Sequence, residues 1–197
     1  MIGLTLQDFT STLDLCPVIA AVKDEKGLDA CLSAPCRVVF VLYGSIMDIP
    51  DIISRIRDAG KTPLVHLDLV DGLAARESAV DFIRFRTSAE GIISTKSVLI
   101  KRAKELGLIA IQRFFLLDSL ALTNIAKQVR LNAPDVIEII PGVMPKVIRM
   151  VTERSPLPVI AGGLIHDVED IQNALNAGAA AISATNITLW QPETLNF

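Results

Sequence analysis

Hydrophobic residues along this chain alternate between two patterns: short uninterrupted apolar runs, and longer stretches in which they recur every three or four positions. The first pattern is how a parallel strand buried on both faces reads, and the second is a helix with one buried face. Leu6, Phe9 and Leu13 stand at helical spacing within Thr5 to Leu15, an amphipathic helix suited to plugging the floor of a barrel. Strand one follows as PVIAAVK, ending at Lys23, and a helix over Asp24 to Leu32 leads to strand two, RVVFVLYGS, at Arg37 to Ser45. A helix over Asp48 to Ala59 stops at Gly60, before strand three and its acidic loop, TPLVHLDLVDG, at Thr62 to Gly72.

The alternation continues to the end of the chain. A helix over Glu77 to Phe85 precedes strand four at Glu90 to Ser94, and a helix over Lys96 to Leu106 is stopped by Gly107. Strand five is Leu108 to Phe115, and Asp118 caps a helix reaching Leu131. Strand six is Asp135 to Ile140, and a helix over Met144 to Glu153 returns the chain to PVIAGGLI at Pro158 to Ile165. A helix starting near His166 and Asp167 separates this seventh strand from the eighth, AAAISATN, at Ala179 to Asn186. Strands alternating with helices every twenty-odd residues predict an α/β fold, a closed (β/α)8 barrel of the TIM type. An open doubly wound sheet would carry a glycine-rich nucleotide fingerprint at its first turn, and none is present. So little chain follows Asn186 that the last helix is expected to be short or missing.

Length and composition narrow this picture. At 197 residues the chain suits one domain, at or just below the lower end of the size range for such barrels. Hydrophobic residues make up 51% of it, yet no apolar run approaches the roughly 20 residues of a membrane helix, and no cleavable signal precedes the first strand. A cytoplasmic protein is expected. Cys16, Cys31 and Cys36 are odd in number and lack CxxC spacing, so buried free thiols are expected rather than a zinc or redox site. The oligomeric state is left open, a homo-oligomer included.

In such a barrel, ligands bind at the C-terminal strand ends, and the loops after strands seven and eight form an anion cup. Gly162 and Gly163 place no Cβ in the way of an approaching group, and the helix near His166 and Asp167 would aim free amides the same way. Thr185 and Asn186 close the cup from strand eight, and Lys23 offers a point charge from strand one. Asp68 and Asp71 could accept hydrogen bonds from ligand hydroxyls, and His66 shares the strand face of Asp68. Pro141 and Gly142 shape a backbone turn at the end of strand six. Glu138 needs a partner if buried, with Lys23, Lys96 or Arg113 as candidates. Of Gln112 and Arg113, one faces the mouth and the other the helices, with the order undecided.

The chain resembles the glycerol uptake operon antiterminator family, the glycerol-3-phosphate-responsive RNA-binding regulators. The resemblance runs from about Pro17 to Trp190 and is carried by PVIAAVK, HLDLVDGL, GIISTK, QRFFLLDS, EIIPGVMPK, AGGLI and SATN, followed by Leu189 and Trp190, in order and at barrel spacing. It implies a barrel without catalytic duty, cofactor or metal. That barrel would take glycerol 3-phosphate as effector and bind the leader of a nascent mRNA to prevent termination.

Two further features bear on that implication. Arg76 to Lys104 carries seven basic side chains, Arg84, Arg86, Lys96, Lys101, Arg102 and Lys104 among them, against three acidic ones. Such a concentration could neutralise RNA phosphates even though the formal net charge is -3. Phe82 and Phe85 could stack bases if exposed. An enzyme is the alternative. A glycerophosphodiesterase would need histidine and an acidic metal cluster, and strand one instead ends in AVKDEKG. A phosphate-binding isomerase or Schiff-base aldolase stays open, with Lys23 or Lys96 as nucleophile if burial lowered its pKa.

Overall fold

The computed structural model describes residues 4–191. Thr5 opens helix α1 (Leu6–Leu15) through a capping box, its hydroxyl accepting from the Asp8 N–H while the Asp8 carboxylate reaches back. Phe9 and Leu13 of α1 are fully buried in a cluster with Ile19, Val38, Leu64, Ile109, Val136 and Ala181, which makes α1 the floor of the barrel.

Above that floor the apolar runs form β1 (Val18–Val22), β2 (Val38–Val41), β3 (Thr62–His66) and β4 (Gly91–Ser94), then β5 (Ile109–Phe115), β6 (Val136–Ile140), β7 (Val159–Gly162) and β8 (Ala181–Ala184). They pair parallel in sequence order, and β1 pairs with β8 to close the ring. The connecting helices are α2 (Glu25–Ser33), α3 (Ile49–Asp58), α4 (Glu77–Arg86) and α5 (Ser97–Glu105), followed by α6 (Ser119–Asn132), α7 (Pro145–Thr152) and α8 (Val168–Asn176). The closed (β/α)8 barrel is therefore the fold expected from the apolar pattern.

Alternation along each strand divides two cores. Inward residues meet α1 in the lumen, while Val39, Val41, Val65, Ile92, Ala110 and Ile137 pack outward against the helices. After β8 the chain makes one 3-10 turn, Ile187–Trp190. Trp190 is wholly buried there, and its indole N–H donates to the Ala184 carbonyl at 2.9 Å. Residues beyond 191, where the rest of any eighth outer helix would fall, lie outside the described residues. Cys16, Cys31 and Cys36 are buried and free, and no described helix is long and apolar enough to cross a membrane.

Candidate functional site

Toward the mouth the lumen turns polar. Glu138 of β6 is fully buried, accepting from Arg113 Nε at 2.7 Å and from Ser183 Oγ at 2.8 Å. Arg113 faces inward, whereas Gln112 points to the helices and bonds Gln128 and Asn132. This settles the order at the end of β5. Gly162 makes the buried network possible, because a Cβ there would stand 2.5 Å from Ser183 Oγ and 2.6 Å from Glu138 Oε1. Its missing side chain thus accommodates a carboxylate of the protein itself.

Above this network lies a cavity of about 300 Å³, lined by Arg113, Glu138, Ser183, Gly163, Thr185 and Asn186 with Leu42, Ile140 and His166 around them. A second cleft, about 320 Å³, adjoins it through Ala21, Thr185 and Asn186 and contains the exposed Lys23 and Lys26. Gly163 (φ 75°) and Leu164 (φ 63°) are both left-handed, a costly conformation for a leucine and one that tends to gather at ligand sites. The N–H groups of Gly163, Leu164, Thr185 and Asn186 donate to no group among the described residues.

The helix expected to reinforce this cup spends part of its amino end on its own side chains. Asp167 caps α8 by accepting from Asp170 N–H at 2.9 Å, and Asp170 in turn accepts from His166 N–H at 2.9 Å. The first turn of α8 leaves the Val168 and Glu169 N–H groups without a partner among the described residues, but it carries the acidic Glu169 and Asp170, which disfavour an anion. Asn186 adds rigidity, its amide donating to the His166 carbonyl at 3.0 Å while its oxygen accepts from Thr188 N–H at 3.1 Å.

Across the mouth, Asp68 accepts from Ser94 Oγ at 2.6 Å, Thr95 N–H at 2.8 Å and Thr95 Oγ1 at 2.7 Å. Burial opposes its charge, yet these hydrogen bonds prevail and hold the carboxyl below its usual range. Asp68 braces the β3 and β4 loops. Asp71 is exposed, and its backbone ties the loop after β3 to that after β2, its N–H donating to Gly44 and its carbonyl accepting from Ile46. Gly142 is buried against β7, where a Cβ would meet Gly162 N at 2.8 Å, and its N–H donates to the Gly163 carbonyl at 3.1 Å. His66 is buried with Nδ1 unpartnered, and burial followed by the nearby Arg113 charge pushes its pKa down to about 4.

The structure thus gathers Lys23, Glu138, Gly163, Thr185 and Asn186 around two adjoining cavities. Asp68, Asp71, Gly142 and Gly162 act elsewhere as braces or close-packing points. Sequence reasoning missed Ser183 and His166 as lining residues, although Ser183 lies two positions before Thr185 and so shares its strand face.

The basic segment divides as well. Arg102 pairs with Asp81 and Glu105, each at 2.8 Å, and Lys104 pairs with the buried Asp135. Arg84, Arg86, Lys96 and Lys101 make no ion pair among the described residues. Phe85 is 70% exposed, while Phe82 packs against the core.

The sequence profile of the glycerol-3-phosphate responsive antiterminators matches residues 18–190. The Escherichia coli K12 protein YgcP is 47% identical over 174 residues, covering 88% of this chain and 91% of that one. A glycerol uptake operon antiterminator regulatory protein from Listeria monocytogenes superposes with a TM-score of 0.85 at 32% identity, over 89% of this chain and 95% of the other. A related protein from Thermotoga maritima gives 0.78 at 34% identity, over 88% and 96%. An aldolase at 14% identity shares the barrel alone. Matched over nearly all of its barrel, the chain belongs to the family of glycerol-3-phosphate responsive antiterminators.

Proposed function

We propose that this chain senses glycerol 3-phosphate at the mouth between β7, β8 and β1, and in the loaded state binds the leader mRNA of glycerol-utilisation genes to prevent termination. The observation that carries the ligand reading is the set of four unengaged N–H groups, at Gly163, Leu164, Thr185 and Asn186, beside the exposed Lys23. A phosphate dianion takes its hydrogen bonds from such amides, and a nearby ammonium adds charge without directional demand. The glycerol end then reaches the Arg113, Glu138 and Ser183 side of the 300 Å³ cavity.

Turnover is not part of this reading. A Schiff-base lysine works from a desolvated setting, whereas Lys23 and Lys96 are both exposed. Lys61 is buried with its pKa lowered by desolvation, but it sits at the opposite end of the barrel, donating to the Ala34 and Cys36 carbonyls. A protein acting on nascent leader mRNA would work in the cytoplasm.

A thermal-shift series tests the ligand. Glycerol 3-phosphate at a hundredfold excess over Kd raises stability by about 2.7 kcal/mol, glycerol does little, and mass spectrometry recovers the ligand unchanged. Equal shifts with glycerol would remove the phosphate from the account, and consumed ligand would replace the sensor by an enzyme.

A further inference from the structure

Helix α5 packs on both α4 and α6, and α7 packs on α8, but α6 and α7 stand apart. Between them lies a groove of about 490 Å³ with a floor of Leu122, Ile125, Ala126, Val129, Met150 and Val151. Arg130 and Arg154 stand on its walls. Lys127 lies four residues after the groove residue Thr123 and three before Arg130, so it extends the same helix face. Lys146 and Arg149 of α7 are exposed nearby.

Charge on this face is one-sided. Residues 119–157 hold five basic side chains and three acidic ones, but Asp135 and Glu138 are buried in ion pairs, which leaves Glu153 as the one exposed carboxylate. None of the five basic groups makes an ion pair among the described residues. The α4–α5 face differs, since Arg102 and Lys104 are already neutralised there.

We propose that the α6–α7 groove is the RNA-docking surface, and that it takes single-stranded RNA. Phosphates lie along Lys127, Arg130 and Arg154, and an unstacked base rests on the apolar floor. An apolar cavity of about 150 Å³ holds a benzene ring, so 490 Å³ accommodates a nucleobase with its sugar. A second copy of the chain is disfavoured as occupant, because a twofold interface would set this cationic patch against itself. The placement rests on the RNA reading proposed above. It also supplies a short route from effector to partner. Strands β5 and β6, which lead directly into α6 and α7, carry Arg113 and Glu138 on the wall of the ligand cavity.

The test uses the full chain and an RNA pool, randomised and unpaired, enriched on the wild-type protein with glycerol 3-phosphate present. Fluorescence anisotropy then follows the enriched RNA across a salt series. The Lys127→Gln, Arg130→Gln, Arg154→Gln triple variant weakens binding about tenfold or more and reduces the salt slope by about 2. Ala126→Trp fills the groove and weakens binding with the slope unchanged. The Arg84→Gln, Arg86→Gln, Lys101→Gln triple variant stays within about twofold of wild type, as do the wild-type fold by circular dichroism and the thermal shift with glycerol 3-phosphate in all three. Loss of RNA in the Arg84, Arg86, Lys101 variant alone would overturn the placement and leave the RNA reading standing. Tighter binding of the enriched RNA when annealed to its complement, or a change of oligomeric mass on Ala126→Trp, would overturn it too. If the wild-type protein enriches no RNA, the RNA reading falls and the placement falls with it.

Discussion

The two sides of the barrel mouth use similar residues to opposite ends. On the β3–β4 side, Asp68 spends its oxygens on Ser94 and Thr95, and Asp71 lies in a backbone bridge to the β2 loop. On the β7–β8–β1 side, four N–H groups border open space, and Lys23 is exposed beside them. Polar residues at the ends of parallel strands mark the mouth, and donors without an internal partner are the ones most open to an anion. The difference supports the proposed seat of the phosphate on the β7–β8–β1 side rather than against Asp68.

The largest effect tests the floor beneath the open side. Glu138→Ala leaves Arg113 unpaired at a site where its side chain is 10% exposed, and chemical denaturation should show a loss of about 3 to 5 kcal/mol. Replacing both partners with leucine should recover part of that loss, since a buried ion pair often contributes little over an apolar pair of similar volume.

A pH titration of stability probes the closed side. His66, with a pKa near 4 against an ordinary value of 6.5, stays neutral in the fold while the unfolded chain takes up a proton. Stability is therefore full above pH 6.5 and falls as the pH drops from 6.5 toward 4, by up to about 3 kcal/mol. Arg113 lowers this pKa and Asp68 raises it, so His66→Gln should flatten that window while the Asp68 loss, which begins below its own usual pKa of 3.8, persists.

Gly163→Val sharpens the comparison from the open side. The residue holds φ 75°, and a Cβ would stand 2.9 Å from Ile140 Cγ2, so the loop must leave its place. The thermal stabilisation of about 2.7 kcal/mol by excess glycerol 3-phosphate should vanish, with the far-ultraviolet helix signal retained. Asp68→Asn gives the smallest change, about 1 to 2 kcal/mol of stability, with effector affinity unaltered. If Asp68→Asn instead abolished effector binding, the two sides would have been assigned the wrong way round.

Much of the architecture was legible because strand and helix carry different apolar periods and because glycines stop the helices. Gly60 and Gly107 both adopt the left-handed conformation expected of such stops, and Phe9 and Leu13 point into the lumen as their spacing indicated. The site was legible only as a rim. Asp68 meets Thr95 27 residues away and Glu138 meets Ser183 45 away, pairings that no local pattern contains. Arg113 could not be told from Gln112 because β5 is buried on both faces, so its apolar residues do not mark a side. Lys104 read as a free cation in sequence because it meets Asp135 only through β5–β6 pairing and helix packing, whereas Arg102 pairs with Glu105, a neighbour three residues on and just past the basic segment. Asp167 was visible as a helix cap, and its consequence for the anion cup is that a capped helix has fewer amides to offer.

Everything proposed for the effector depends on its occupying the open side of the mouth. A crystal structure of the chain with glycerol 3-phosphate tests it most directly. Phosphate density is expected within hydrogen-bond reach of the Gly163 and Asn186 N–H groups, with the glycerol carbons pointing toward Arg113 and Ser183. Phosphate seated against Asp68 and Thr95, or a mouth left empty at saturating ligand, would contradict it.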